Sequence, residues 1–364
     1  MSDSIRCFSM IFSSLKSLCP SAPSGNLLRN LRSMAFLING IIRSNRCNLP
    51  DIAAKCADVR KPASREKSFY RLLKNQNFTF DTFYLPFAKA LLDSINSKYI
   101  AIVFDGSTIG NGCIALVAGL VYRNRSLPIC WLVKKGCKGH MEEKLHIELW
   151  QKLLSIVPAD KTIIFLGDGE FDGSIFLHNI NETKHLFVAR TAENRKMVAE
   201  NDFFTMHDLD VGAEEFIWMP NAKPTANTVL SCNAVAWWNR DYKEPIYLFT
   251  NLQPIEEALY WYKKRFTIET FFSDQKSRGF HIHKSHIAIP ERVERLLIAA
   301  AMAYLFIIYF GIYAKLHDFH KIIHRTNRCD LSMFKLGQRF IDYLLGHAIK
   351  IPRMAQLELF NLGR

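Results

Sequence analysis

The chain of 364 residues is 49% hydrophobic and 22% charged, which excludes an intrinsically disordered protein and is enough for a sizeable core in two or three domains. Its 47 Lys and Arg residues outnumber 34 Asp and Glu, so the formal net charge is +13. This excess predicts a polyanionic partner, most often nucleic acid, although a soluble protein that is merely basic would have the same composition. Nine scattered cysteines without a CxxC pair argue against a zinc knuckle or a disulfide framework and are typical of a reducing cytoplasm.

The first region, residues 1–96, is predicted to be helical and basic. Residues 1–80 hold 13 Lys and Arg against 4 Asp and Glu, a local balance of +9. From Gly25 onward, apolar residues recur at the spacing of one helix face, as in Leu28, Leu31, Met34, Ile38 and Ile41. We therefore interpret residues 1–96 as a helical N-terminal DNA-binding region.

Two short helices within this region resemble a helix-turn-helix. Asn48 is placed to cap a helix that has Pro50 in its first turn, and a second helix is predicted to open at Ser64. Arg65 and Arg71 lie on the basic face of this second helix and are predicted to contact DNA phosphates. A solvated helix face or an ordinary helical bundle would have the same pattern.

From residue 97 the sequence changes to short β-rich runs, which predict an α/β domain with a mixed sheet and flanking helices. Residues 97–190 are its first part, with strands at Tyr99–Phe104, Cys113–Tyr122, Leu127–Val133, Lys161–Leu166 and His185–Arg190 and a helix at Met141–Ile156. Residues 191–252 are predicted to be a β-rich insertion, with strands at Phe216–Met219, Thr228–Trp238 and Ile246–Thr250. The second part of the domain is residues 253–314, and residues 315–364 form a helical C-terminal region expected to serve in assembly.

An uncharged run from Leu296 to Ala314 is long enough to span a bilayer. Charged residues precede it at helical spacing, and Ala-rich apolar helices also occur buried inside large domains. We therefore predict a core helix and no membrane association.

Two aspartates follow apolar strands. Asp105 comes directly after Tyr99–Phe104, and Asp168 comes just after another buried strand. Ligands of open α/β sheets bind at the carboxyl ends of strands, so both are candidate metal ligands, while a turn-forming Asp-Gly explains either one alone. Asp172 is the rival for the second position, but it lies farther from its strand.

A helical pattern from Ile255 through Lys276 supplies a third carboxylate. On one continuous helix Tyr262, Arg265, Glu269 and Lys276 would fall on a single stripe. We expect this stripe to be well buried; a plain salt-bridge ladder has the same residues. Three carboxylates together can hold two magnesium ions.

The spacing Tyr262-x2-Arg265-x3-Glu269-x6-Lys276 resembles the Y-R-E-K signature of the DDE transposases of the IS-four insertion-sequence family. The segments that begin at Asp105 and Asp168 are similar to the family's first and second aspartate motifs, with Gly169 standing where the family usually has Arg. This resemblance implies a ribonuclease H-like catalytic fold with a β-rich insertion before the glutamate helix.

The same resemblance implies the chemistry. Asp105, Asp168 and Glu269 would be the catalytic residues and would bind two Mg²⁺ ions, for which Mn²⁺ is expected to substitute. Tyr262, Arg265 and Lys276 would contact phosphates at the transposon end. The expected function is metal-dependent cleavage of terminal inverted repeats and strand transfer into target DNA by a homodimeric synaptic complex in the bacterial cytoplasm.

Other residues could carry function. Trp237 and Trp238 face opposite sides of a strand, so one is expected in the core while the other could stack on a base. His281, His283 and His286 form a cluster, but no Cys stands at zinc-ligand spacing, and contact with phosphate or a turn is the preferred interpretation. Two alternative functions remain: a non-catalytic DNA-binding protein or repressor derived from a transposase, and a plain ribonuclease H-like nuclease.

Overall fold

A computed structural model describes residues 3–56, 60–136, 139, 141–226, 229–354, 357 and 360. Six helices precede the first strand: α1 Asp3–Ser17, α2 Gly25–Ser44, α3 Leu49–Ala54, α4 Pro62–Lys74, α5 Phe80–Phe83 and α6 Leu85–Asp93. The side chain of Asn48 caps α3 by accepting from the Asp51 amide at 2.9 Å, as predicted. Helix α1 lies in the part of the predicted helical region for which no apolar periodicity was identified.

The remaining elements alternate between strands and helices before the chain ends in helices. The strands are β1 Tyr99–Ile109, β2 Cys113–Tyr122, β3 Arg125–Lys135, β4 Thr162–Gly167, β5 Leu186–Thr191, β6 Lys196–Ala199, β7 Asp202–Thr205, β8 Phe216–Pro224, β9 Cys232–Trp237 and β10 Ile246–Thr250. The helices are α7 Glu143–Leu154, α8 Ser174–Glu182, α9 Ile255–Lys264, α10 Thr267–Gln275, α11 Pro290–Leu316, α12 Phe319–Ile323 and α13 Met333–Gly346.

All ten strands belong to one mixed sheet, in the order β3-β2-β1-β4-β5-β10-β9-β8-β6-β7. Strands β1, β2 and β3 are antiparallel neighbours, whereas β4 runs parallel to β1 and β5 parallel to β4. Strand β10 pairs with β5 in antiparallel orientation. Strand β9 pairs antiparallel with the other edge of β10, and β8 pairs antiparallel with β9. The predicted mixed α/β class is confirmed, and the β-rich segment 191–252 extends the same sheet instead of forming a separate one.

The two faces of β1 pack against different helices because alternate side chains point to opposite sides of a strand. Phe104 lies against Trp150 of α7 and Phe176 of α8, within a cluster of packed aromatic rings. Ser107, an odd-numbered neighbour of Asp105, instead meets the segment that follows α10. The face of β1 that carries Asp105 is therefore the face beneath α10.

Helix α11 is the central core helix. By length and composition it could cross a membrane. However, 94% of its most apolar 18-residue stretch is buried inside the fold, as predicted for a core helix. It packs against α2, α4, β3 and α13. Contact with α13 is close because both helices have glycine there: a Cβ added to Gly337 would lie 1.9 Å from the carbonyl oxygen of Ile307.

The N-terminal helices share this core. The Tyr84 hydroxyl donates to the carbonyl of Pro128 in β3 at 2.6 Å. From α11, Arg295 donates to the carbonyls of Leu73 and Phe78 at 2.9 and 3.2 Å. Residues before β1 are thus fastened to both the sheet and the central helix.

Two local predictions were wrong. Strand β1 continues to Ile109, so Asp105 lies inside the strand, paired with Val117, and not after its end. The single helix expected from Ile255 through Lys276 is two helices, α9 and α10, because the chain turns at residues 265–266. Lys276 lies beyond the end of α10 with non-helical angles (φ −106°, ψ −118°).

Candidate functional site

Asp105 and Asp168 lie side by side on neighbouring parallel strands. The last pair of the β1–β4 ladder joins Val103 to Leu166. Asp105 lies two residues farther along β1, and Asp168 lies two residues after Leu166, just past the end of β4. Equal offsets from one register pair put both carboxylates in the same row on the same face. The two aspartates that the sequence singled out therefore follow the same register pair, Asp105 inside β1 and Asp168 just after β4.

Backbone amides orient both aspartates. The Gly106 N–H donates to Oδ1 of Asp105 at 2.7 Å, and the Glu170 N–H donates to Oδ1 of Asp168 at 3.0 Å. Asp105 is buried within the sheet, whereas Asp168 is half-buried at the start of a tight turn. Both carboxylates are thus held by the backbone that follows them.

The rival residue Asp172 has a different environment. Its Oδ2 accepts a hydrogen bond of 2.6 Å from the Thr191 hydroxyl at the end of β5. This contact ties the turn after β4 to the neighbouring strand, which is a structural role. The geometry favours Asp168 over Asp172 as the partner of Asp105.

Arg190 is a site residue that the sequence did not single out. The β4–β5 ladder ends with Gly167 beside Ala189, so the next residues, Asp168 and Arg190, continue the same row. Both line an open cleft of about 470 Å³ together with Arg265. The only sequence signal was a cation at the end of a predicted strand, and its place beside an aspartate depends on strand pairing.

Tyr262 and Arg265 enter this site from α9 and the turn that follows it. Both are buried, and burial raises the pKa of the Tyr262 phenol, an effect that Arg265 and Arg190 partly offset. The phenol therefore stays protonated and can donate a hydrogen bond. The Arg265 guanidinium is close enough for its charge to act on this phenol.

Glu269 departs from its predicted environment. Its side chain is 58% exposed, not buried, and Oε1 lies 3.6 Å from Nη2 of Arg265, four residues earlier. The salt-bridge alternative is therefore present at these two positions. Across the described ranges, no three His, Cys, Asp or Glu side chains are grouped closely enough to hold a metal ion.

Helix α10 is nevertheless fixed over the face that carries Asp105. Ile268 packs on Gly119 of β2, where a Cβ would lie 3.0 Å from its Cδ1 atom. Beyond the helix, Lys276 Nζ donates to the Ser107 hydroxyl at 2.5 Å, two residues along β1 from Asp105. Lys276 thus reaches the aspartate row.

The N-terminal candidates differ from each other. Arg65 is 2% exposed, and its guanidinium lies 4.0 Å from the ring centroid of Phe36, so it is packed inside the helical region and not presented to solvent. Arg71 is exposed and lines an open cleft with Lys67 and Tyr70 on α4. Only Arg71 is placed to reach a phosphate in this conformation.

The tryptophan and histidine candidates lie outside the aspartate row. Trp237 is buried beneath Lys263, while Trp238 is half-buried and donates from Nε1 to a backbone carbonyl at 3.3 Å. His281 precedes a short 3-10 turn and His283 lies within it; burial lowers their pKa values, with nearby cations adding to the effect.

Comparison with protein families matches the transposase DDE domain over residues 118–306, which is more than half of the chain. The matched segment contains Asp168 and the residues from Tyr262 to Lys276 and begins beyond Asp105. No curated protein matches significantly. Among solved structures, a piggyBac transposase synaptic complex with hairpin DNA, determined by cryo-EM, is 10% identical with a TM-score of 0.47, over 97% of this chain and 83% of that one. That likeness is too distant to carry an argument, whereas the family match is direct: the chain belongs to the transposase DDE domain family.

Proposed function

We propose that this chain is a DNA transposase that cuts transposon ends and joins them to target DNA by metal-dependent phosphoryl transfer. The observation that carries the proposal is the row of Asp105 and Asp168 on adjacent parallel strands beneath α10. The order β3-β2-β1-β4-β5, with β2 antiparallel to its neighbours, supports a ribonuclease H-like core for this chemistry. The family match supports the same reaction class.

The donor set fits divalent cations with a preference for oxygen ligands. Asp105 and Asp168 already lie in register, and Glu269 would complete the set from α10 on leaving its ion pair with Arg265. Two bound Mg²⁺ ions, or Mn²⁺ in their place, would activate the attacking oxygen and stabilise the leaving one.

The protein's own cations would hold the DNA strand. Arg190 and Arg265 line the cleft beside Asp168, where their planar guanidinium groups can pair with two phosphate oxygens at once. The buried phenol of Tyr262 keeps its proton and would donate a hydrogen bond to the strand beside Arg265. Lys276, directed by Ser107, would contact a phosphate on the other side of Asp105.

The proposed partners are double-stranded DNA substrates: the terminal inverted repeats of the element and a target duplex. Arg71 and its basic neighbours on α4 would bind the inverted repeat away from the cut, a role left to Arg71 because Arg65 is buried. A homodimeric synaptic complex would align two ends, acting on DNA in the bacterial cytoplasm.

The test is magnesium-dependent cleavage and joining of a labelled duplex that carries the ends of the element. Asp105→Asn and Glu269→Gln should bind the duplex like the wild type but lose cleavage. Asp172→Asn is the matched control and should keep most cleavage, because its carboxylate is engaged with Thr191. Cleavage without joining would identify a plain nuclease, and duplex binding without cleavage in Mg²⁺ or Mn²⁺ would identify a non-catalytic DNA-binding protein.

A further inference from the structure

A second cleft lies on the outer side of α9 and α10, away from the aspartate row. It measures about 360 Å³ and opens to solvent. Its walls include Asn124 from the β2–β3 turn and Tyr260, Lys263, Lys264, Phe266 and Thr267 from the two helices. No Asp or Glu is among the residues that line it.

Two aromatic rings that line this cleft are exposed to solvent. Tyr260 on α9 is 54% exposed, and Phe266 in the turn before α10 is 40% exposed, although the other faces of the two helices are buried. Lys264 Nζ lies 5.4 Å from the ring centroid of Tyr260 and has no ion-pair partner among the residues that the structure describes. Exposed aromatic faces alternating with ammonium groups form a surface suited to bases and phosphates.

A third feature of the cleft is an unmet hydrogen bond. Thr267 is 7% exposed, and its hydroxyl oxygen has no hydrogen-bond partner within the described ranges.

The cleft adjoins the proposed metal site along α10. Phe266 precedes Glu269 by three residues, which is close to one helical turn. Arg265 links the two places, since its guanidinium stacks 4.1 Å from the ring centroid of Phe266 while it pairs with Glu269. A DNA strand that passes Glu269 would therefore reach the rings of the cleft within a short distance.

We propose that this α9–α10 cleft binds unpaired nucleotides of a DNA strand that runs past the metal site. Bases would stack on Tyr260 and Phe266, and phosphates would pair with Lys264, because Lys263 Nζ is already engaged 3.8 Å from Oδ2 of Asp241. Paired bases cannot present their faces in this way, so the cleft would distinguish an opened or single-stranded segment from a duplex. The inference rests on the proposed function for the identity of the strand, but its binding chemistry does not require catalysis.

The experiment compares two fluorescein-labelled probes by anisotropy, without metal: a thymidine homopolymer and a fully paired duplex of the same length. Tyr260→Ala should weaken binding of the single strand roughly 5- to 150-fold, as expected for one lost stacking contact, with little change for the duplex. Tyr260→Phe should bind like the wild type, and Lys264→Gln should weaken the single strand in a salt-dependent manner. Tyr260 is exposed, so these variants are expected to remain folded.

Tyr99→Ala is the matched control. Tyr99 is 47% exposed, and Lys98 Nζ lies 5.9 Å from its ring centroid, so the two form a tyrosine–lysine pair similar to Tyr260 and Lys264. This pair lies at the start of β1, at the end of the strand away from Asp105. Three outcomes would each overturn the proposal. In the first, Tyr260→Ala binds the single strand as tightly as the wild type does; in the second, it loses equal affinity for the single strand and the duplex; in the third, it loses no more affinity than Tyr99→Ala. A failure of the proposed function would look different. The wild type would then not cleave DNA, while Tyr260→Ala would still weaken binding of the single strand more than binding of the duplex.

Discussion

Replacing Asp274 by Ala is expected to destabilise the protein strongly, because it leaves a charged Arg125 inside the fold. The two residues form an ion pair in which their side chains are only 7% and 12% exposed. Burial lowers the pKa of Arg125, but Tyr304 and Asp274 more than offset it, so the guanidinium stays charged. The pair joins α10 to the start of β3, and its loss would loosen the helix that carries Glu269.

The size of the effect follows from burial. Removing one partner of a buried pair costs about 3–5 kcal/mol, because the other charge has neither water nor a counter-charge. An exposed pair contributes only about 0–1 kcal/mol. The control is Asp342→Ala, since Asp342 is 74% exposed and pairs with Arg43 at 3.2 Å. Replacing Arg125 by Met and Asp274 by Leu together is expected to cost far less than Asp274→Ala alone.

Urea unfolding followed by circular dichroism measures these differences as shifts of the midpoint. The duplex-cleavage assay run alongside should show Asp274→Ala losing activity while it can still bind the duplex. An unfolding midpoint for Asp274→Ala equal to that of Asp342→Ala would refute the reasoning. A double variant as unstable as the single one would also contradict it, because the lost charge compensation would then not be the cause.

Two further predictions concern packing and pH. Gly337→Ala should lower the free energy of unfolding by about 1–3 kcal/mol, since its Cβ would meet the backbone oxygen of Ile307 at 1.9 Å, whereas Gly346→Ala on the same helix meets nothing within 4 Å and should be neutral or stabilising. Urea midpoints of the two variants check this, and equal shifts would contradict it. His185 accepts a hydrogen bond from the Ile163 amide at 3.1 Å, and burial lowers its pKa below the ordinary 6.5. Its neutral form therefore contributes stability that is fully present above pH 6.5 and is lost as the pH falls through the folded-state value, so the wild type should weaken on acidification more than His185→Gln. Identical pH profiles of the unfolding midpoint would rule this out.

Much of the sheet was predictable because buried strands are short, apolar and rich in β-branched residues. The run at Ile163–Leu166 shows this, and it located Asp168 correctly at its end. Strands β6 and β7 were missed since they are four residues each, at the outer edge of the sheet, with Phe203 79% exposed. Their conformation depends on pairing with each other and with β8 more than on their own residues.

The site was predictable in its residue types but not in its geometry. The spacing from Tyr262 to Glu269 is compatible with one helix, and no Gly or Pro marks the turn at Phe266. The position of Arg190 beside Asp168 is set by the register of two strands, which local sequence does not encode. The burial of Arg65 against Phe36 likewise depends on how α4 packs on α2.

The position of α11 in the chain has a consequence for synthesis. Helix α2 and strand β3 both bury their apolar faces against it, yet they leave the ribosome long before residues 290–316 do. At ordinary rates of translation the delay after α2 is on the order of ten to fifty seconds, during which those faces have no native partner. A nascent chain of this protein must therefore be kept from aggregating until its most apolar helix arrives, and a product that stops before Pro290 would expose the surfaces that α11 covers.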